Sequence, residues 1–330
     1  MGVSQESARP GRHPQSERAR RERASSLIVV NPASAGGRTG RQWPAIAEQL
    51  RKAGLDFQVA LTSGPGDAVE LTRKAVLESV PTVVAAGGDG TIHEVANGFF
   101  ESGLAIPTST RLGILPVGTG GDFRRTFGIP LEPAAAARVL HAGRTRRIDA
   151  GKLTCVQPGG GRHTRMFVNI ADAGVGGDVV NLVNRSSKRL GGDLTFKLAV
   201  VRSLLAWTNK PMRVMVDGLL VEGVCQSVVV ANCQFFGSGM QMAPMAVPDD
   251  GELDVIVIGD VGRFYSITKL EAIRKGRHLR EGDPRLHVLR GRSVQVESPQ
   301  EVLLDVDGEQ PGMLPATFEV MPGSIELIVP

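Results

Sequence analysis

Short apolar runs recur along the first half of the chain, and each stops at a cluster of small and polar residues. Ser26-Leu27-Ile28-Val29-Val30 ends at Asn31-Pro32, and Asp56 to Leu61 ends at Thr62-Ser63-Gly64-Pro65-Gly66. The run at Pro81 to Ala86 ends at Gly87-Gly88, and Leu112-Gly113-Ile114-Leu115-Pro116 ends at Val117-Gly118. Uninterrupted apolar runs bounded by turn residues predict strands buried on both faces. Helical segments lie between them, about Trp43 to Lys52, from Asp67 (placed as an N-cap) and from Thr91 onward. This β-loop-α rhythm predicts a doubly wound parallel sheet, whose ligands bind beyond the carboxyl ends of the strands.

The pattern changes beyond about Ile148. Short alternating or apolar segments follow one another at Phe167–Ala171, Met212–Val216, Cys225–Ala231, Leu253–Ile258, Val294–Glu297 and Val302–Val306. Turn residues separate them, which predicts an antiparallel sandwich or barrel-like domain. A helical insertion at about Asp178 to Trp207 interrupts the series. Its Leu182, Leu190, Leu194, Phe196, Leu198, Leu204, Leu205 and Trp207 read either as core or as the lining of an apolar cavity, with core favoured on spacing alone. Met240, Met242 and Met245 pose the same choice.

The loops carry the chemistry. Gly87-Gly88-Asp89-Gly90-Thr91 places three glycines around one carboxylate at the start of a helix. Glycines let backbone N–H groups approach a phosphate, and a helix N-terminus adds partial positive charge. Asn31 to Gly40, Thr62 to Ala68 and Val117 to Phe123 are equally rich in Gly, Ser and Thr, so four phosphate-compatible loops are expected on one sheet edge. None matches GxxxxGK[ST], and GxGxxG is absent after the first strand, which disfavours an ordinary P-loop NTPase or a dinucleotide dehydrogenase. Two acidic stretches lie in the second half. Val247-Pro248-Asp249-Asp250-Gly251-Glu252 reads as a solvated hairpin or as oxygen ligands for a hard cation such as Mg²⁺. In Asp305-Val306-Asp307-Gly308-Glu309, Gly308 is expected to break the strand and leave Asp307 and Glu309 exposed at a loop.

Composition narrows the class. The 330 residues allow two domains, and 42% hydrophobic content allows packed cores. No window approaches ~18 uninterrupted apolar residues, so a spanning helix is not expected. Three cysteines without a CxxC pair fit a reducing compartment, with Cys225 and Cys233 as core residues. The net charge of +4 is concentrated in residues 1–25, where Arg9, Arg12, Arg18, Arg20, Arg21 and Arg23 lie among Pro, Ser and Gly. That stretch reads as a disordered arm or an over-long start. A weaker reading is a polybasic contact to anionic lipid. It lacks interleaved aromatics, so no nucleic-acid partner is expected.

Taken together, the motifs resemble the diacylglycerol kinase catalytic-domain family, in the bacterial soluble lipid kinase branch that also includes sphingosine kinase-like enzymes. The resemblance covers nearly all of the chain after residue 25. It rests on Asn31-Pro32-x-Ser34, Thr62-x-x-x-Gly66-Asp67-Ala68, GGDGT at 87–91, Pro116-x-Gly118-Thr119-x-x-Asp122-Phe123, Asp250-Gly251 and Asp307-Gly308-Glu309. GGDGT followed by PxGTxxDF is the specific part. The resemblance implies an NAD kinase/diacylglycerol kinase-like α/β domain at 26–148, a β-rich lipid-substrate domain at 149–322 and a return of 323–330 to the first domain. It implies ATP contacts at Asn31, Pro32, Ala33, Ser34, Ala35, Thr62, Gly87, Gly88, Asp89, Gly90, Thr91, Ile92, His93, Gly118 and Thr119. Magnesium is implied on Asp250 and on main-chain oxygens of Val247 and Glu252, with Asp89 and Asp122 organising Mg²⁺ and water around the phosphates. Gly121 and His93 depart from the family, which usually has Asn at both places.

The activity implied is transfer of the ATP γ-phosphoryl group to a lipid hydroxyl, most simply diacylglycerol to phosphatidic acid. A carboxylate of the Asp307–Glu309 pair would take the alcohol proton, with Asp89 a rival base. The enzyme would be cytoplasmic and visit a membrane surface without spanning it; a homodimer is left open. The alternatives are an NAD kinase, which shares GGDGT but not PxGTxxDF, and a silent nucleotide- or lipid-binding regulator of the same fold.

Overall fold

The computed structural model describes residues 26–185 and 192–330, without side chains at 184–185, 192–197 and 280–281. The basic arm and Leu190 therefore lie outside the described residues, as do the side chains of Leu194 and Phe196.

The first half runs β1 (Ser26–Val30), α1 (Arg38–Lys52), β2 (Phe57–Leu61), α2 (Asp67–Leu77), β3 (Thr82–Gly87), α3 (Asp89–Asn97), a small hairpin of β4 (Phe100–Glu101) and β5 (Leu104–Ala105), β6 (Arg111–Pro116), α4 (Asp122–Phe127) and α5 (Pro133–Ala142). The strands pair in parallel in the order β2-β1-β3-β6. Their apolar runs are continuous because helices cover both faces. Ile28, Val30, Val84 and Leu115 pack against Leu50 and Leu140, whereas Val29, Val83, Leu112 and Ile114 pack against Ile92 and Phe99.

The second half comprises β7 (Thr145–Val156), β8 (Arg162–Phe167), β9 (Ile170–Gly174), α6 (Val175–Arg185), α7 (Gly192–Ala206), β10 (Lys210–Val216), β11 (Leu219–Cys225), β12 (Ser227–Ala231), β13 (Leu253–Ile258), α8 (Arg263–Arg274), β14 (Leu286–Gly291), β15 (Ser293–Glu297), β16 (Leu304–Val306) and β17 (Met313–Ile328). An antiparallel sheet ordered β14-β13-β12-β9-β16 packs on the wing formed by β11, β10, β15, β17, β7 and β8. Phe167, Val214, Val294 and Phe318 from the wing meet Val228, Val230, Val255 and Leu304 from the sheet, all 0% exposed. Cys155, Cys225 and Cys233 are buried and free.

One strand ties the halves together. β17 pairs with β15 over Ala316 to Glu319, lies antiparallel to β7 along most of its length, and reaches β6 in parallel through Leu327 and Leu112. The shared ribbon of β7 and β17 runs through positions 148 and 322, so those positions fall inside strands. Register shifts at Met313/Thr317 and Met321/Ile325 admit Pro315, Pro322 and Gly323 without ending the strand.

Because the ribbon belongs to both halves, they are expected to unfold together. Leu327→Ala removes a fully buried side chain from the joint between β6 and β17, and should cost roughly 2–5 kcal/mol. Urea unfolding followed by near-UV and far-UV circular dichroism should show one coincident transition, shifted to lower urea. Two separated transitions would show that the halves are independent.

Candidate active site

Three of the four small-residue loops are bonded to one another at the carboxyl edge of the parallel sheet. Asn31 N–H donates to Ala86 O (3.1 Å), the Thr39 hydroxyl to Val117 O (3.1 Å), and Val117 and Gly118 N–H both to Gly87 O (3.1 and 2.9 Å). Ser34 Oγ donates to Thr39 Oγ1 at 2.6 Å. The fourth joins through Thr62 N–H, which donates to Val30 O at 2.9 Å. Two glycines make this closeness feasible. A Cβ on Gly118 would fall on the Gly88 backbone, and one on Gly120 would fall on the Asp89 carboxylate. Thr119 stands exposed at the rim.

The Asp89 carboxylate has an explanation that the sequence did not supply. Its Oδ2 accepts N–H bonds from Gly121 (2.7 Å) and Asp122 (3.1 Å), and its Oδ1 accepts one from Phe123 (3.2 Å). It thus caps the start of α4 from another element and locks the GGDGT loop to the PVGTGGDF loop. Asp67 differs from its expected role. Gly66 is the N-cap of α2, and the Asp67 carboxylate instead closes the preceding turn, accepting from Ser63 N–H at 2.8 Å and Gly64 N–H at 3.1 Å.

Asp122 is the carboxylate with unused capacity. It is 5% exposed; Oδ2 accepts from Ser238 N–H at 2.8 Å, while buried Oδ1 has no hydrogen-bond partner. Burial, with the Asp89 charge beside it, pushes its pKa up to about 6. Arg125 Nε lies 3.7 Å from Oδ1, on the same rim as Thr119. Arg125 follows Asp122-Phe123-Arg124 directly, and its charge at that spacing was the available signal.

The Asp307-Gly308-Glu309 turn behaves differently from its sequence reading. Asp307 and Gly308 take positive φ (51° and 90°), and Val306 and Glu309 bond reciprocally through their backbones, so the strand does end here. The Asp307 side chain is nevertheless only 3% exposed. Its Oδ1 accepts N–H bonds from Asn169 (3.1 Å) and Ile170 (3.0 Å); its Oδ2 accepts from Val168 N–H and His93 Nδ1–H, both at 2.9 Å. The inward turn follows because the β8–β9 connection leaves three amides in need of acceptors. Glu309 is 39% exposed and meets its partners through Oε2, Arg165 Nη2 at 2.8 Å and His93 Nε2 at 3.5 Å.

His93 therefore does not serve the nucleotide edge. It is 1% exposed, wedged between Asp307, Glu309 and Asn97, with the Arg165 guanidinium 3.1 Å from Nε2. Burial alone would lower its pKa, but the two carboxylates outweigh burial and raise it to about 9. Burial alone would raise Glu309, but His93 and Arg165 hold it at about 2. The Ile92 side chain lies in the core.

The proposed cation turn is neutralised by arginines. Asp249 pairs with Arg146, Asp250 with Arg290, and Glu252 with Arg290 at 3.2 Å. Among the described residues, no group of three or more His, Cys, Asp or Glu side chains is placed to hold a metal. Of the Val247–Asp250–Glu252 set, the Asp250 carboxylate thus faces a guanidinium in this structure.

Asp89, Asp122 and Asp307 share one cavity of about 310 Å³. From that acidic mouth it runs between α6, α7 and α8, where Val179, Val183, Val200, Leu204, Leu270 and Ile273 line it. Of the ambiguous apolar residues, Leu204, Met240 and Met242 face this space, Trp207 is buried beneath Lys210, and Leu198 and Leu205 are exposed.

Two family models match: the diacylglycerol kinase catalytic domain over residues 25–153, and the YegS C-terminal NAD kinase beta sandwich-like domain over residues 169–329. A protein of Chromohalobacter salexigens named "Probable lipid kinase YegS-like" is 32% identical over 310 residues, covering 92% of both chains. The chain belongs to the diacylglycerol kinase catalytic-domain family. A diacylglycerol kinase of Staphylococcus carnosus is 26% identical over 313 residues, covering 93% of this chain and 96% of that one. A diacylglycerol kinase crystal structure from Bacillus anthracis str. Sterne shares the fold at TM-score 0.67 and 22% identity, covering 93% and 97% of the two chains. Yeast NADH kinase complexed with NADH shares it at TM-score 0.53 and 11% identity, covering 93% and 84%. The family makes this chain an ATP-dependent lipid kinase.

The raised His93 pKa fixes a sign for pH dependence. Its contribution to stability is complete below about pH 6.5 and is lost as pH rises through about 9. Thermal melts of wild type should fall over that window, and His93→Asn should show a smaller fall. Equal falls would mean that the imidazole is neutral throughout.

Proposed function

We propose that this kinase transfers the γ-phosphoryl group of ATP to a lipid primary hydroxyl, with diacylglycerol as an acceptor and phosphatidic acid as product. The observation that carries the reading is the single cavity joining the acidic end of the bonded glycine loops to an apolar channel. ATP would lie along the loops around Asn31 to Ala35, Thr62, Gly87 to Thr91 and Gly118 to Thr119, where backbone amides meet phosphate. Arg125 adds a cation at the same rim. Oδ1 of Asp122 has no hydrogen-bond partner and only the longer 3.7 Å contact to Arg125 Nε, with Asp89 behind it, which suits a hard cation, so Asp122 would hold Mg²⁺. When bound, Mg²⁺ neutralises charge developing on the phosphates.

In the transfer, the acceptor oxygen forms a bond to Pγ as the bond from Pγ to the β-phosphate oxygen breaks, ADP leaves, and the alcohol proton passes to a carboxylate. We assign that proton to Glu309. A carboxylate has about four acceptor sites, and Asp307 already receives four N–H donors. Glu309 is partly exposed, and both contacts fall on one oxygen. Its low pKa suits a loose transition state in which the alcohol proton is lost late. Asp307 positions the turn, and His93 with Arg165 keeps Glu309 ionised.

Access from a bilayer is supported at the cavity wall. Leu198, Val201 and Leu205 lie at 3- and 4-residue spacing on α7 and are 53%, 38% and 41% exposed, and Phe264 at the start of α8 is 77% exposed. No helix among the described residues is long and apolar enough to cross a membrane. This supports peripheral contact with a lipid surface.

Glu309→Gln should lower kcat by ~10²-fold or more, with ATP affinity and melting temperature near wild type. Asp307→Ala should lower both kcat and melting temperature, because three amides lose their acceptor. Assays with diacylglycerol in mixed micelles and labelled ATP, beside thermal melts, separate the two. Full activity in Glu309→Gln would remove it as the base, and phosphorylation of NAD but not lipid would overturn the reading.

A further inference from the structure

A second recess, of about 620 Å³, lies on the other side of the cavity wall. Gly120, Val200, Gly237, Ser238, Met240 and Leu270 line both spaces. Ser238 N–H donates to Asp122 Oδ2 at 2.8 Å, so the shared turn sits at the acidic mouth, and Val200, Met240 and Leu270 form the partition behind it. The turn is tightly built. Phe236 and Met240 bond reciprocally through their backbones at 2.9 and 3.0 Å, and Gly237, Ser238 and Gly239 all take positive φ (60°, 67° and 99°).

The outer recess is apolar where helices wall it. Val201 on α7 and Ile267 on α8 line it without lining the inner cavity. Val201 also belongs to the exposed stripe of Leu198, Val201 and Leu205, so the recess runs on into the face proposed above to meet a bilayer. Glu271 and Arg274 are exposed and mark its solvent side, where an arginine stem can cover apolar surface while its head stays in water. A diacylglycerol makes two demands on such a site. Its chains leave adjacent glycerol carbons, so their places must converge close to the reacting hydroxyl. The inner cavity, about 310 Å³, is at the small end of ligand pockets, roughly 300–1,000 Å³, and suits one chain, so a second chain needs a place of its own.

We infer that the two acyl chains of a diacylglycerol part at the turn of residues 237–239, one entering the inner cavity and the other lying in the outer recess against Val201 and Ile267. This deepens the lipid-kinase reading and rests on it. Val201 and Ile267 are specificity residues, since they touch the acceptor away from the reacting oxygen.

The test uses two dipalmitoylglycerols in mixed micelles with ATP, each carrying a photoreactive diazirine on one chain only, at sn-1 in the first and at sn-2 in the second. After irradiation and digestion of wild type, one label should be found on α6 around Val179 and Val183, which line only the inner cavity, and the other on Val201 or Ile267. Both labels on the same wall, or either label on detergent alone, with the lipids still phosphorylated, overturns this inference alone. Ile267→Trp narrows the outer recess. It should lower the kcat/KM ratio of dipalmitoylglycerol to 1-palmitoyl-2-acetylglycerol by ~10-fold, because added bulk in a filled site forces its neighbours aside. An unchanged ratio in the folded variant also overturns the inference. ATP binding without phosphorylation of any of these lipids overturns the lipid-kinase reading itself. The labelling of wild type decides the matter even if the variant does not fold.

Discussion

The architecture of the site depends on one buried carboxylate. Asp307 accepts from three consecutive backbone amides at the β8–β9 junction and from an imidazole on α3, and so joins three segments far apart in sequence. Hydrogen bonds to a charged acceptor are worth ~1.5–3 kcal/mol each. Removing that acceptor also strands donors where water does not reach. The constraint sets the position of Glu309, two residues on, and the pose of His93. It also fixes the lip of the cavity where the glycine-rich loops meet the apolar channel. Asp89 performs the parallel service on the other lip, where its carboxylate holds the first turn of α4 against the GGDGT loop. Charges that look catalytic in one dimension are, at both lips, largely spent on holding backbone in place.

The electrostatics divide accordingly. Carboxylates rich in N–H partners, Asp89 and Asp307, act as fasteners. Those with spare acceptor capacity, Asp122 and Glu309, are the ones able to meet a metal or a proton. Burial does not separate the two groups, since Asp122 and Asp307 are both sequestered. The count of donors around each oxygen separates them.

The parallel sheet was legible because its strands are continuous apolar runs that end in glycine-rich turns. Leu253–Ile258 was recovered residue for residue for the same reason. Segments that mix signals were not legible. β7 opens with Thr145-Arg146-Arg147, and β17 contains Pro315, Pro322 and Gly323, so both break the alternation that marks a strand. Two register shifts absorb those residues, and a register shift has no signature in a single chain. α8 went unseen: only Ser266 along it is buried, and its Leu270 and Ile273 line the cavity. Phe167–Ala171 and Cys225–Ala231 read as single strands, but the first breaks at Val168-Asn169 and the second at Gln226. In the site, the motif glycines do meet at one sheet edge, yet sequence could not show which way His93 faces. Its orientation follows from Asp307, more than two hundred residues away. Arg290 escaped notice likewise, because a lone arginine in β14 says nothing about the acidic turn it neutralises.

The placement of β17 bears on how the molecule is made. This strand fills the slot beside β6 and β7, and it is translated after every other strand described. Until it leaves the ribosome, the nascent first half carries an open sheet margin along β6, with unpaired N–H and C=O groups that invite association with other chains. Ribosome-bound chains therefore pass through an interval in which all the glycine-rich loops exist but their scaffold is unsealed. Closure of that margin waits on β17.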